Sequence, residues 1–272
     1  MPRCDNAEGG MKDRADKIVV DRGLAESCQK AQALIMAGRV FSGGERIEKP
    51  GQTLNSEQEL TVKGKMPFVG RGGYKLAAAL DTLGILIAGK VVADLGSSTG
   101  GFTDCLLQKG AQKVYAVDVD TRQLDCRLRE DPRVVLVAKN ARYLEKDDFS
   151  DSLDVITADL SFISVLKVLP AIQKFIGDGL LVALIKPQFE VGKGQVGKKG
   201  VVRDPRLHEE VLTNMIQRAG EAGFHTLGLT RSPIRGQKGN QEFFILWSIQ
   251  RPALEPDRIR TLIKEAVWNE KN

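Results

Sequence analysis

The strongest constraint in this sequence is a rhythm that sets in near residue 91. Apolar runs at 91–95, 113–118, 133–138, 153–159 and 180–186 alternate with helical stretches near 101–109, 121–129 and 163–176, and a helix near 75–87 precedes the first run. Strand and helix alternating at this spacing form βαβ units, which build a parallel sheet covered by helices. Two more strand candidates, 224–230 and 242–249, follow a helix near 206–222. About ten residues, "RSPIRGQKGNQ", separate them, too few for a crossover helix, so they read as an antiparallel hairpin. The fold class is α/β: a Rossmann-like, seven-stranded, mostly parallel sheet closed by a late antiparallel strand.

A smaller module precedes it. "RADKIVVDRG" has helical periodicity and stops at Gly23, and "ESCQKAQALIMAGR" starts a helix at Ser27 and ends it at Gly38. A turn at Gly43-Gly44 separates two short strand candidates, and "QELTVKG" supplies a third. The expected organisation is a tail at 1–12, a small α+β domain at 13–63, a linker at 64–72 rich in glycine, the large domain at 73–250, and a C-terminal helix within 251–272.

"VVADLGSSTGGFTD" (91–104) is strand, glycine-rich turn and helix start. A dinucleotide loop needs glycine at the middle position so that a pyrophosphate can approach, and Ser98 stands there. A P-loop needs Gly-Lys-[Ser/Thr], and Phe102 follows Gly101; the second near match, from Gly192, has Lys199 where Ser or Thr is required. The remaining ligand is S-adenosylmethionine, which has no phosphates. The turn Gly96, Ser97, Ser98, Thr99, Gly100, Gly101, Phe102 would pass beneath it, with the helix N-terminus receiving its carboxylate. Asp118, 22 residues after Gly96, stands where a ribose-binding acid belongs, and Asp94 is the candidate partner of the ligand's ammonium, through water or directly. The competing interpretation is a plain β-turn with capping acids.

The strands also end in chemistry. "DVITADLSF" carries Asp159, and "LLVALIK" delivers Lys186 immediately before Pro187. Adjacent strands place both at the carboxyl edge of the sheet, where active sites of open α/β folds lie. "ADLSF" lacks the prolines of amine-methylating loops, and it lacks the cysteine that cytosine C5 methylation needs. A ribose 2′-hydroxyl is a poor nucleophile. A lysine beside it can orient it or take its proton, the latter once desolvation or a second cation favours the neutral amine. Lys75, in "RGGYKLAAAL", is the available second lysine. A structural ion pair is the alternative for Asp159 and Lys186, and a solvated helix position for Lys75.

Taken in order, "GLAESCQKAQALIMAGRV", "VGRGGYKL", "DLGSSTGGFTD", "VYAVDV", "NARYL", "ADLSFIS", "LIKPQFEVGK" and "GVVRDP" resemble the TlyA family of ribosomal RNA 2′-O-methyltransferases over about residues 13–250. The resemblance implies a class I methyltransferase domain of the FtsJ type. It also implies an N-terminal RNA-binding module of the kind found in a small-subunit ribosomal protein and in tyrosyl-tRNA synthetases. The family's Lys-Asp-Lys-Glu tetrad falls on Lys75, Asp159, Lys186 and Glu242, and Asn140 in "NARYL" joins the cofactor-binding set. Without the resemblance, Glu242 reads as a surface carboxylate. The chain departs from the family at Asp120-Thr121-Arg122, beside the cofactor strand, and at Cys28, where the module usually has arginine.

RNA contacts are expected from Lys30, Arg39 and Arg46, and from Lys193, Lys198, Lys199 and Arg203 in the loop after Lys186. The stretch 186–206 holds six basic and two acidic residues within a chain of net charge +5. The implied partner is ribosomal RNA or a ribosomal subunit, with cytidine the implied nucleotide and no metal. The four cysteines form no CxxC pair, no apolar run reaches about 18 residues, and the N-terminus has no h-region, so a cytoplasmic location is expected. Two other functions compete: a membrane-active hemolysin, a name given to similar proteins, and a non-catalytic RNA-binding assembly protein. Against the first, "PDRIRTLIKEAVW" (256–268) is one modest amphipathic helix, whose apolar face suits docking on the domain.

Overall fold

The structure is a computed structural model that describes residues 12–62, 68–192, 196–197, 200–236 and 238–269. Lys193, Lys198 and Lys199 lie outside the described residues, as do residues 1–11 of the expected tail and 64–67 of the expected linker. The chain divides into two compact units, Met1–Gly70 and Arg71–Asn272.

In the first unit, β1 (Lys12–Arg14) leads into α1 (Ala15–Asp21) and α2 (Cys28–Met36). The Ser27 hydroxyl accepts the Lys30 N–H at 3.3 Å, capping α2 as its sequence requires. Antiparallel β2 (Val40–Ser42) and β3 (Glu45–Arg46) turn at Gly43 and Gly44, both at positive φ, and β5 (Leu60–Val62) pairs with the other side of β2. A further pairing, β1 with β4 (Thr53–Asn55), was not legible, because three-residue strands leave too few positions for alternation. Ala15, Ile18, Val19, Ala31, Leu34, Ile35, Val40 and Ile47 pack into this unit's core.

The second unit opens with α3 (Arg71–Thr82), which starts four residues before the expected position. There follow β6 (Val91–Leu95), α4 (Gly101–Gln108), β7 (Lys113–Asp118), α5 (Cys126–Arg129), β8 (Val134–Ala138), β9 (Val155–Ala158), α6 (Leu169–Ile172) and β10 (Leu180–Ile185). The chain then forms α7 (Pro187–Glu190), α8 (Pro205–Glu221), β11 (His225–Arg231), β12 (Phe243–Ser248) and α9 (Pro256–Trp268). The sheet runs β11-β12-β10-β9-β6-β7-β8, parallel throughout except for β12, which is antiparallel to both neighbours. This is the expected seven-stranded, mostly parallel architecture.

Two expected helices are broken. Residues 121–129 form a 3-10 turn and a single α turn, because Asp120 and Asp125 each accept the N–H two residues on and start a new turn. Residues 163–176 divide likewise into a 3-10 turn at Val165–Lys167 and α6, whose first turn holds Pro170. At the C-terminus, α9 packs on β11 and α8 and buries Ile263, Ala266 and Val267, with Ile259 and Leu262 against the same core. Arg231 donates to the carbonyls of Val267 and Asn269, satisfying the end of that helix.

Candidate active site

Topology brings three of the four proposed catalytic residues to one edge. Asp159 follows β9, Lys186 follows β10, and Glu242 precedes the antiparallel β12, one residue beyond the strand in each case. Ile185 is in register with Phe243, so Lys186 and Glu242 leave adjacent strands side by side. Lys75 reaches this edge from α3.

The four side chains form two ion pairs. Lys75 Nζ lies 2.5 Å from Glu242 Oε2, both groups buried. Lys186 Nζ lies 2.6 Å from Asp159 Oδ1, a contact off the hydrogen-bond axis, and donates to Ser161 Oγ at 2.9 Å in hydrogen-bond geometry. The Phe189 ring centroid, on α7, is 6.0 Å from the same ammonium. Burial separates Lys75 from the solvated position its sequence suggests, and Glu242, 3% exposed, is not the surface carboxylate that its residue type suggests. Gly236 abuts the Glu242 carboxylate so closely that a Cβ there would lie 2.3 Å from Oε1.

Beside these pairs, Gly96 and Gly101, after β6, lie close against neighbouring backbone. Gly96, at φ 84°, would place a Cβ 2.7 Å from the Asp159 carbonyl, and a Cβ on Gly101 would meet Gly72 Cα and Gly73 N at 3.2 Å. The glycines of "GRGGYK" and "STGGF" thus let the start of α3 lie directly against the start of α4, which seats Lys75 next to the turn. Asp118 ties the turn to β7 by accepting the Ser98 N–H at 2.9 Å and the Asp120 N–H at 3.1 Å. Ser97 Oγ is buried with no hydrogen-bond partner, an orphan that a polar ligand group lying over the turn would satisfy.

Asp94 lies on β6, next to the turn. It is fully buried, and its oxygens accept the Thr103 and Thr157 hydroxyls at 2.7 and 3.1 Å; burial pushes its carboxyl up to about 7. It joins β6, α4 and β9 through these bonds. Asn140 is exposed and caps a short turn through the Arg142 N–H. Thr99 and Gly100 complete the turn, and Phe102 stacks on Phe244 with centroids 6.1 Å apart. Arg122 folds back onto Asp120, so the atypical "DTR" closes on itself.

One residue here had no role assigned from sequence. Phe162 is 90% exposed, sits at φ 65°, and meets Phe189 with ring centroids 5.3 Å apart. A large exposed aromatic in a strained conformation is a signal that only coordinates provide. Of the other expected RNA contacts, Lys30 pairs with Glu26 and Arg46 with Glu48, Arg39 is half-buried, and Arg203 is exposed.

The FtsJ-like methyltransferase family matches residues 68–248, which include every residue of this edge. The chain belongs to the FtsJ-like methyltransferase family. Its first unit matches the S4 domain over residues 13–60. A Mycobacterium tuberculosis protein, 16S/23S rRNA (cytidine-2′-O)-methyltransferase TlyA, is 45% identical over 238 residues, covering 86% of this chain and 88% of that one. Hemolysin A of Brachyspira hyodysenteriae is 42% identical over 233 residues, 85% and 97% of the two chains. The solved structure of a hemolysin-named protein from Streptococcus thermophilus superposes with a TM-score of 0.73 at 41% identity, covering 95% of this chain and 96% of that one. This FtsJ-like chain thus belongs to the TlyA branch, in which both kinds of name occur. Among the described residues, no helix is long and apolar enough to cross a membrane.

Proposed function

We propose that this FtsJ-like chain methylates a ribose 2′-hydroxyl of ribosomal RNA, the nucleotide being a cytidine, with S-adenosylmethionine as methyl donor. The observation that carries the reading is the meeting of two lysine–carboxylate pairs at the carboxyl edge of the sheet, directly beside the glycine turn. The S4 match and the relative named as a cytidine-2′-O-methyltransferase support RNA as the acceptor.

The donor would lie over Gly96–Phe102, with Ser97 Oγ bonding to it, the start of α4 facing its carboxylate and Asp118 at its ribose. When bound, it supplies an electrophilic methyl group on a cationic sulfur. Lys186 would orient the 2′-oxygen and the Asp159 carboxylate would take the hydroxyl proton, the O–CH₃ bond forming as the donor's S–CH₃ bond breaks to leave a neutral thioether. Lys75 and Glu242 close the pocket as a neutral pair and hold the ribose in line with the methyl group, where positioning contributes most of the rate. Phe162 offers an exposed face on which an unstacked base can lie. Asp94 supports the turn from below. The S4 unit and the basic loop after Lys186 bind phosphates, giving affinity without sequence choice. The buried apolar face of α9 supports this reading over a membrane-active one.

Methyl transfer from labelled donor to ribosomal subunits and to free ribosomal RNA, followed by mapping of 2′-O-methyl nucleosides, tests the proposal. Transfer by the parent and none by Lys186→Ala, with donor affinity kept, is the expected result. Equal transfer by both proteins removes the catalytic assignment. No transfer to any RNA would favour a non-catalytic assembly protein, and vesicle leakage by purified protein would favour the hemolysin alternative.

A further inference from the structure

We infer that Ser161 is a positioning residue for Lys186, and through it for the attacking 2′-oxygen; the inference rests on the reading of the site just given. An ammonium has three N–H bonds and rotates freely about its last carbon, so a neighbouring charge alone does not fix where those bonds point. Asp159 attracts Lys186 at 2.6 Å, but the contact lacks hydrogen-bond geometry, so it holds the N–H directions less closely than an aligned acceptor does. The Phe189 face, 6.0 Å away, is indifferent to rotation about that last carbon. The Ser161 hydroxyl is the partner, among the described residues, that meets Lys186 Nζ in hydrogen-bond geometry. It therefore sets the rotation of the ammonium and leaves the remaining N–H directions at defined angles.

The backbone is shaped for this contact. Residues 159–162 turn away from β9, and Phe162 at φ 65° takes a conformation rare for an aromatic residue. That turn directs the Ser161 hydroxyl to Lys186 while the next side chain projects outward to Phe189. Ser161 is itself exposed, so neither its burial nor a core contact explains its orientation. A serine serving only the turn would bond backbone, as Ser164 does with the Leu166 N–H nearby.

Steady-state methyl transfer to ribosomal RNA tests the inference with the parent, Ser161→Ala and Ser161→Thr, alongside donor affinity by calorimetry. A directed hydrogen bond to a charged group predicts that Ser161→Ala lowers kcat by about tenfold, with KM for RNA and donor Kd each within about twofold of the parent. Ser161→Thr keeps the hydroxyl and is expected to recover kcat to within about threefold. A Ser161→Ala kcat within about twofold of the parent, a loss carried by KM or donor affinity, or no recovery in Ser161→Thr overturns the assignment. An active parent beside an equally active Ser161→Ala overturns this inference alone, whereas a parent that methylates no ribose overturns the underlying reading as well.

Discussion

Lys75 and Glu242 stand 167 positions apart in the chain and 2.5 Å apart in space. Each is buried, so each depends on the other for the compensation that water would otherwise supply. Glu242→Ala strands the Lys75 ammonium, and a stability loss of about 3–5 kcal/mol is expected by urea unfolding. The paired variant Lys75→Met with Glu242→Leu is expected to regain most of that stability while remaining inactive. Recovery of stability without activity would separate the structural work of the pair from its work on substrate.

Gly96 tests the turn. At φ 84°, with the Asp159 carbonyl 2.7 Å from any added Cβ, Gly96→Ala must displace either the turn or Asp159. The expected outcome is a loss of about 1–3 kcal/mol in stability together with loss of both donor binding and transfer. Calorimetric titration of donor into the folded variant checks this. Gly84→Ala is the control: Gly84 also has positive φ, but its Cβ would have nothing within 4 Å, so the expected change is in stability alone.

Asp94 makes a pH prediction. Its carboxyl is raised from 3.8 to about 7 in the folded chain, chiefly by burial. Between those values the folded state holds a proton that the unfolded state has released, so stability falls as pH rises from about 4 to about 7 and then levels off. In Asp94→Asn this component disappears. Melting temperatures from pH 4 to 8 should therefore slope less in the variant, and an unchanged slope would place the titration elsewhere.

Phe162 separates binding from folding. Its ring is 90% exposed and its φ is unfavourable, so Phe162→Ala is expected to change stability by less than about 0.5 kcal/mol. Base–aromatic stacking contributes about 1–3 kcal/mol, so transfer to RNA should weaken roughly 5-fold to 150-fold in kcat/KM at unchanged donor affinity. Transfer kinetics against RNA concentration decide it.

Much of this was legible in the sequence because β6, β7, β9 and β10 carry runs of Val, Ile, Ala and Leu that few other structures can bury. Asp159 and Lys186 stood out as polar residues ending such runs. Lys75 was legible as a second lysine, but its pairing with Glu242 was not, since Glu242 reads alone as a solvated charge and only the closed sheet shows the partner. The role of Ser161 was hidden for a different reason: it depends on the direction of a hydroxyl, and that is set by the unusual backbone of the following phenylalanine. The packing role of Asp94 was hidden because the two threonines whose hydroxyls it accepts lie 9 and 63 residues away.

The strand order has one more implication, for the life of the chain. Within the sheet β11 touches only β12, and β12 slots between it and β10, so the sheet stays open until the last strand is synthesised. That same strand brings Glu242. A ribosome-bound or prematurely ended chain can therefore present a finished S4 unit and a glycine turn, yet the buried mate of Lys75 is missing. The proposed catalytic edge is therefore completed by the last strand of this sheet to be made, after Lys75, Asp159 and Lys186 are already in the chain.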